Sequence, residues 1–310
     1  MSGDTATHLI IAGVTRAAST SLFTYLADHP DVCRSTIKET RFFLDDDYPM
    51  PRMHGYHEGI AAYDKFFPHA KPGQVRLEAT PDYLYTPAAA ERMRNELPGA
   101  RVVILLREPV SRLISWYRYA RQNGRIGPEM SLDQYVAAQD ERGEQPMRAM
   151  SQGRYSRFLP RWLEVFDRPH ILVTTHEALQ RDAGPVVKAA CALAGLDPGF
   201  YDGYEYRVIN ESREVSFPGV ERGKHRLIWA IKPYVHDQPM IRGALRKVRR
   251  AVEGVLGAGV KQDTQVHMSE RTRSALDDYY KDEPEQLAKL LGVATWMWDA
   301  GGQTPIGAAP

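Results

Sequence analysis

The sequence predicts an α/β protein, with a central parallel sheet flanked by helices and a phosphate-loop-like turn after the first strand. Three observations carry that expectation. Short apolar runs rich in β-branched residues occur at 8–14 (HLIIAGV), 74–79 (QVRLEA), 101–107 (RVVILLR) and 170–175 (HILVTT), bounded by helix-like segments. Helical periodicity follows nearly all of them, and strand-then-helix repetition argues a parallel sheet covered on both faces. The first run leads into GVTRAASTSL (13–22), the kind of strand-to-helix junction where backbone N–H groups and a helix N-terminus converge on anions.

Taken in order, the first helix is expected over 20–28, with Leu22, Phe23, Tyr25 and Leu26 as its apolar side. The stretch 45–73 is rich in Pro, His, Tyr and Asp without a clear period and reads as a long surface excursion. The 101–107 strand feeds a helix over 109–121 that opens on Pro109 and places Val110, Leu113, Ile114 and Tyr117 on one face. After the strand at 170–175, residues 210–224 are irregular and charged. Residues 226–256 look helical and basic, and Arg242, Arg246, Lys247, Arg249 and Arg250 make either a solvated face or a substrate-binding strip. A last amphipathic helical region covers 269–291. The expectation is one domain over 1–300 with a loose tail at 301–310.

With 40 basic and 39 acidic residues the formal charge is +1, so no global field draws in nucleic acid or a membrane and any anion site must be local. The two cysteines, Cys33 and Cys191, lack metal-ligand spacing and read as reduced thiols of a cytoplasmic protein. The opening MSGDTATHLII shows no basic region leading into a long apolar stretch and no run of about 18 apolar residues occurs elsewhere, so a soluble, cytoplasmic protein is expected. Nor does any feature assign an oligomeric state.

Within the first junction, Gly13 permits close backbone approach, and Ser19, Thr20 and Ser21 offer hydroxyls and N–H groups at a helix start. Arg16 adds a planar fork suited to phosphate or sulfate oxygens. The nucleoside-triphosphate spelling G-x-x-x-x-G-K-[ST] is broken, because Ala18 and Ser19 occupy the Gly and Lys positions. The stretch alone therefore fits either an ordinary capped helix or a loop for a different anhydride donor. In LLREPVSRLISWY, Arg107 leaves a strand and Ser115 follows eight residues later, which suits a second phosphate at the same sheet edge; a surface Arg and a packing Ser are the alternative.

Together with KETRFF (38–43), EATPDYLY (78–85), GRYSRFLPRWLEVF (153–166) and LLGVATWMWD (290–299), these stretches resemble, in order, the sulfotransferases that use 3′-phosphoadenosine 5′-phosphosulfate. The resemblance is to the branch of heparan sulfate and bacterial carbohydrate or natural-product sulfotransferases. It implies the P-loop-like sulfotransferase fold and a metal-independent sulfuryl transfer. The acceptor it implies is a hydroxyl, less often an amine, of a small molecule or carbohydrate.

The family loop reads approximately G-x-x-K-x-G-T-T-S, so the resemblance places Arg16, Ala17, Ala18, Ser19, Thr20 and Ser21 around the 5′-phosphosulfate and Arg107 with Ser115 on the 3′-phosphate. It makes Glu39 the general base and Arg16 and Lys38 the charges near the transferring group. Tyr155 falls at the aromatic beside the nucleotide, where it either stacks or hydrogen-bonds, or simply packs. Glu78 and Asp82 either position the acceptor and support Lys38 and Arg16, or serve the core edge. Three loop residues depart from the pattern: Arg16 for Lys, Ala18 for Gly and Ser19 for Thr. Ala18 costs most if its φ is positive. Arg41 stands where a His often occurs, which removes a second acid–base group. Two other readings stay open: a non-catalytic nucleotide-binding homologue, and a phosphate-loop kinase. The kinase is disfavoured because Ser19 occupies the Lys position.

Overall fold

The computed structural model describes residues 7–127, 129–140, 149–207, 266–296 and 298, which form two compact units. The basic region at 226–256, the irregular 210–224 and the tail at 301–310 lie outside the described residues. In the first unit, five strands pair in the order β2-β3-β1-β4-β5: β1 (His8–Gly13), β2 (Val32–Arg34), β3 (Val75–Ala79), β4 (Ala100–Leu106) and β5 (Ile171–Thr175). Every pairing is parallel. The expected sheet is therefore present, with β1 in its middle.

Burial explains the strand content. All six residues of β1 and all seven of β4 are buried, as suits inner strands covered on both faces. The chain runs from β1 to β3 on one side and places β4 on the other, so the carboxyl end of β1 is the topological switch point where such sheets bind ligands. At the far edge β2 is only three residues long and pairs Val32 with Val75 and Arg34 with Leu77. It went unpredicted because three residues display no period.

Helix α1 (Ser19–Leu26) buries Leu22, Phe23, Tyr25 and Leu26 against the sheet unit's core, each apolar side chain contributing about 1.5–3 kcal/mol. Inside the loop expected at 45–73, a short 3-10 turn (Tyr56–Glu58) and α2 (Ile60–Asp64) put Tyr63 and Phe66 into the core. Then come α3 (Pro87–Glu96), α4 (Pro109–Gln122), α5 (Leu132–Asp140), α6 (Leu159–Val165), α7 (His176–Arg181) and α8 (Ala183–Leu193).

The single helical region expected over 269–291 is two helices, α9 (Glu270–Tyr280) and α10 (Glu283–Leu291). Pro284 in the first turn of α10 starts a helix without a lost hydrogen bond but cannot continue one from before it. Gly292, at φ 70°, closes α10 with a left-handed cap. The buried Glu283 carboxylate accepts from the Ser156 N–H at 3.1 Å and from Ser156 Oγ at 2.6 Å, so α10 pins the segment that carries Tyr155.

The second unit contains the α4 residues from Ile114, α5, and residues 266–274. Within it Tyr117 OH donates to Met130 O at 2.6 Å, Trp116 Nε1 to Tyr135 OH at 3.1 Å, and Ser269 N to Asp133 Oδ1 at 3.2 Å. Among the described residues no helix is long and apolar enough to cross a membrane.

Candidate active site

The loop after β1 is held close to the sheet. Val14 N donates to Leu105 O at 2.7 Å, and a Cβ on Gly13 would meet Leu84 Cβ at 3.1 Å and Ile104 Cγ2 at 3.3 Å, so only glycine suits that position without displacement. Arg16 and Ala18 both adopt left-handed backbone, at φ 70° and 60°. Ala18 is the residue that caps α1, yet it has no side-chain acceptor for the first-turn N–H groups. The condition under which Ala18 costs most is met. Ala18→Gly is accordingly expected to stabilise the fold by about 1 kcal/mol, read as a higher urea midpoint at unchanged slope. An unchanged midpoint would mean that the loop carries no such strain.

At the end of β4, Arg107 Nη1 donates to Arg16 O at 2.8 Å and so fixes the crest of that loop. Tyr155 OH donates in turn to Arg107 O at 2.7 Å, and its ring is fully buried edge-on to Trp298. Of the readings of Tyr155, packing is therefore the one the geometry supports: the ring has no free face for a base, and it props Arg107 instead. Arg107 Nε is buried with no hydrogen-bond partner among the described residues. Ser115 stands in the second turn of α4, within the second unit.

A third basic group was not singled out in the sequence. His176, the first residue of α7 after β5, is buried, and neither ring nitrogen has a hydrogen-bond partner of good geometry among the described residues. Burial and then the charges of Arg107 and Arg16 push its pKa down to about 4, so it is neutral at pH 7. Its place one residue beyond a parallel strand, on the same edge as Arg107, was the available signal.

One strand over, KETRFF forms a tight loop against the end of β3. Glu39 N donates to Ala79 O at 2.9 Å, and Arg41 N to Thr80 Oγ1 at 3.2 Å. Thr80 N in turn bonds Ile11 O of β1 at 3.1 Å, which keeps the two loops on neighbouring strand ends. Phe42 and Phe43 are fully buried and anchor the turn. Glu39 and Arg41 hold left-handed φ values of 64° and 58°, unusual for residues with a Cβ and sustained by this surrounding lattice.

The Glu39 carboxylate lies between two cations, with Lys38 Nζ 3.1 Å from Oε1 and Arg41 Nη2 2.8 Å from Oε2. Its side chain is 35% exposed, whereas Arg41 is almost wholly buried. Burial pushes the Glu39 carboxyl up, but the charges and hydrogen bonds of Lys38 and Arg41 outweigh it and leave the pKa below the ordinary value. Glu39 is thus ionised and positioned at neutral pH.

Glu78 and Asp82 separate into different roles. Glu78 has no exposed surface; it accepts from Thr40 Oγ1 at 2.7 Å, Thr80 Oγ1 at 2.6 Å, and the hydroxyls of Tyr63 and Tyr83 at 3.1 Å each. It belongs to the core edge and braces KETRFF from beneath. Burial raises its pKa against the pull of those hydroxyls, so the stability it contributes is full at low pH and declines as pH rises through the raised value. Glu78→Gln replaces one acceptor oxygen by a donor and should cost about 1–3 kcal/mol in urea unfolding. Equal stability would mean the hydroxyls re-pair. Asp82, half-buried in the 3-10 turn Pro81–Tyr85, has its pKa raised to about 6 by burial and then by the charge of Glu39.

Residues 6–217 match the model of a family described as the sulfotransferase domain. Over 191 residues the chain is 30% identical to the heparan sulfate glucosamine 3-O-sulfotransferase 6 of Homo sapiens, covering 60% of this chain and 52% of that protein. It is 26% identical over 306 residues to the human bifunctional heparan sulfate N-deacetylase/N-sulfotransferase 1, covering 93% of this chain and 30% of the other. The chain thus spans about half the length, or less, of these curated relatives. A crystal structure of a sulfotransferase from Alicyclobacillus acidocaldarius shares the fold at a TM-score of 0.64 and 22% identity, over 94% of this chain and 98% of that one. With the ordered motifs, the parallel sheet and the loop after β1 in place, the chain belongs to the sulfotransferase-domain family.

Proposed function

We propose that the protein transfers the sulfuryl group of 3′-phosphoadenosine 5′-phosphosulfate to a hydroxyl of a carbohydrate or natural-product acceptor, with residues 1–300 acting as one catalytic domain. The observation that carries this reading is the Glu39 carboxylate, held by Lys38 and Arg41 at the end of the strand that neighbours β1. The donor fits the residues present. Ala18 leaves the α1 N-terminus without a side-chain cap, and Arg107 keeps a buried, unpaired Nε for an anion. Arg16 and residues 17–21 take the 5′-phosphosulfate; Arg107, with Ser115 assigned by spacing and resemblance, takes the 3′-phosphate.

The bound donor supplies a sulfate already activated by its phosphoanhydride. Glu39 accepts the acceptor hydroxyl's proton as the new S–O bond forms, and Lys38 favours the developing negative charge. Arg16, always protonated, stabilises the leaving phosphate electrostatically without donating a proton. Acceptor contacts are assigned to 45–73 and to 210–224, the latter outside the described residues; 45–73 is tied to the Glu39 loop by Arg41 Nη1 to Pro51 O at 2.9 Å and by Arg52 Nη1 to Leu44 O at 2.8 Å. Cys33 and Cys191 are free thiols, in keeping with work in a reducing cytoplasm.

Transfer of radiolabelled sulfate from the donor to a panel of sugars, phenols and alcohols tests the proposal, and a labelled product is expected. Nucleotide binding with no product across the panel would favour a binding module, and calorimetric preference for ATP–Mg²⁺ over 3′-phosphoadenosine 5′-phosphate would favour a kinase.

A further inference from the structure

We propose that Tyr155 is a positioning residue for the donor site: its hydroxyl fixes the backbone of Arg107, so that the guanidinium is set in advance for a 3′-phosphate. The brace behind Tyr155 comes from α9 and α10, which lie beyond the residues that match the family model. The inference rests on the donor assignment above, in which Arg107 takes the 3′-phosphate.

A phenylalanine would fill nearly the same buried space, so the hydroxyl calls for its own account. A buried phenol is costly unless it is hydrogen-bonded. Tyr155 OH donates to Arg107 O at 2.7 Å, just past Leu106, which pairs with Thr175 at the end of β4. The N–H of the same peptide, on Glu108, donates to Glu177 Oε1 at 3.0 Å, and the Glu108 carboxylate accepts from Val110 N at 2.8 Å and Ser111 N at 2.6 Å. Both polar groups of the peptide after Arg107 are thus held. From that fixed peptide the Arg107 side chain reaches Arg16 O through Nη1 at 2.8 Å, while Nε is buried without a partner among the described residues. A guanidinium anchored in this way loses little freedom when an anion arrives, which is the advantage of a preformed site.

Tyr155 is itself held from behind. Tyr280 OH of α9 donates to Met150 O at 2.6 Å, and the Glu283 carboxylate of α10 accepts from Ser156 N at 3.1 Å and Ser156 Oγ at 2.6 Å. The half-buried Trp298 lies edge-on to the Tyr155 ring with centroids 5.9 Å apart. Gly153 permits the close approach of α9, since a Cβ there would stand 2.8 Å from the Tyr280 ring. The segment that carries Tyr155 is therefore clamped on both sides of that residue, and its hydroxyl acts on Arg107 from a fixed support.

Calorimetry on the full chain tests this, with 3′-phosphoadenosine 5′-phosphate and with adenosine 5′-phosphosulfate, which lacks the 3′-phosphate. Tyr155→Phe is expected to weaken the first ligand about 2- to 10-fold, the weight of one neutral hydrogen bond, and to leave the second nearly unchanged. In Arg107→Ala the same substitution should weaken the first ligand no further, because the guanidinium that it positions is gone. A purely structural tyrosine would lower the urea midpoint without that split. Unchanged affinities, equal losses for both ligands, or additive losses in the double variant overturn the proposal. The Arg107 Nε–H resonance of arginine-labelled protein, identified by its loss in Arg107→Ala, gives a reading without nucleotide: Tyr155→Phe should shift it, and an unmoved resonance overturns the proposal. A shifted resonance in a protein that binds neither nucleotide would count against the sulfotransferase reading and not against the positioning. Where Tyr155→Phe does not fold, Trp298→Leu unloads the same ring from its other side; the same split and shift are expected in smaller measure, and their absence overturns the proposal.

Discussion

Glu39→Gln is expected to lower turnover by about 100- to 10,000-fold, some 3–5 kcal/mol of barrier, while leaving the affinity for 3′-phosphoadenosine 5′-phosphate nearly unchanged. The substitution keeps the shape and one oxygen acceptor but cannot take a proton. An in-line transfer sets the acceptor oxygen opposite the leaving phosphate, so the base works from the acceptor side and has no need to touch the nucleotide. The structure agrees with that division. Glu39 is placed by the end of β3, whereas the loop from Gly13 to Ser21 follows β1 and Arg107 follows β4. The measurement is turnover with the best acceptor from the labelled-sulfate panel, alongside calorimetry with the nucleotide. Near-normal turnover would move the base to Asp82, since Glu78 is sealed beneath four hydroxyls.

Arg107→Ala should do the reverse and weaken nucleotide binding by about 10- to 150-fold, the loss of one charge-assisted hydrogen bond worth roughly 1.5–3 kcal/mol. Two effects of Arg107 have to be separated, because its Nη1 also holds Arg16 O at 2.8 Å. Calorimetry with adenosine 5′-phosphosulfate, which lacks the 3′-phosphate, separates them. If Arg107 grips the 3′-phosphate, this shorter ligand should bind the variant almost as well as the wild type. Equal losses for both ligands would mean that Arg107 acts only by shaping the Arg16 loop.

The chemistry was legible early because its signals are local. A buried parallel strand writes itself as an apolar run, and GVTRAASTSL shows its glycine, arginine and hydroxyls within one turn of chain. Ala18 is a case where the sequence posed a sharp question and a single dihedral answered it: φ 60° is the costly conformation for a residue with a Cβ.

What the sequence by itself determined is the set of inner strands, the loop between β1 and α1, and the residue types that hold an anion or take a proton, since each is encoded within about ten consecutive residues. Tertiary structure alone decided what those residues face. Edge strand β2 exists because β3 offers it a ladder, and Glu78 and Asp82, four positions apart on one motif, part company because one is sealed under Thr40, Thr80, Tyr63 and Tyr83 while the other is only half-buried. Tyr155 turns inward to Arg107, and His176 feels the charges of Arg107 and Arg16, which lie far from it in sequence. The reason is physical: burial and charge depend on neighbours in space, and a parallel sheet gathers the ends of strands far apart in sequence onto one edge.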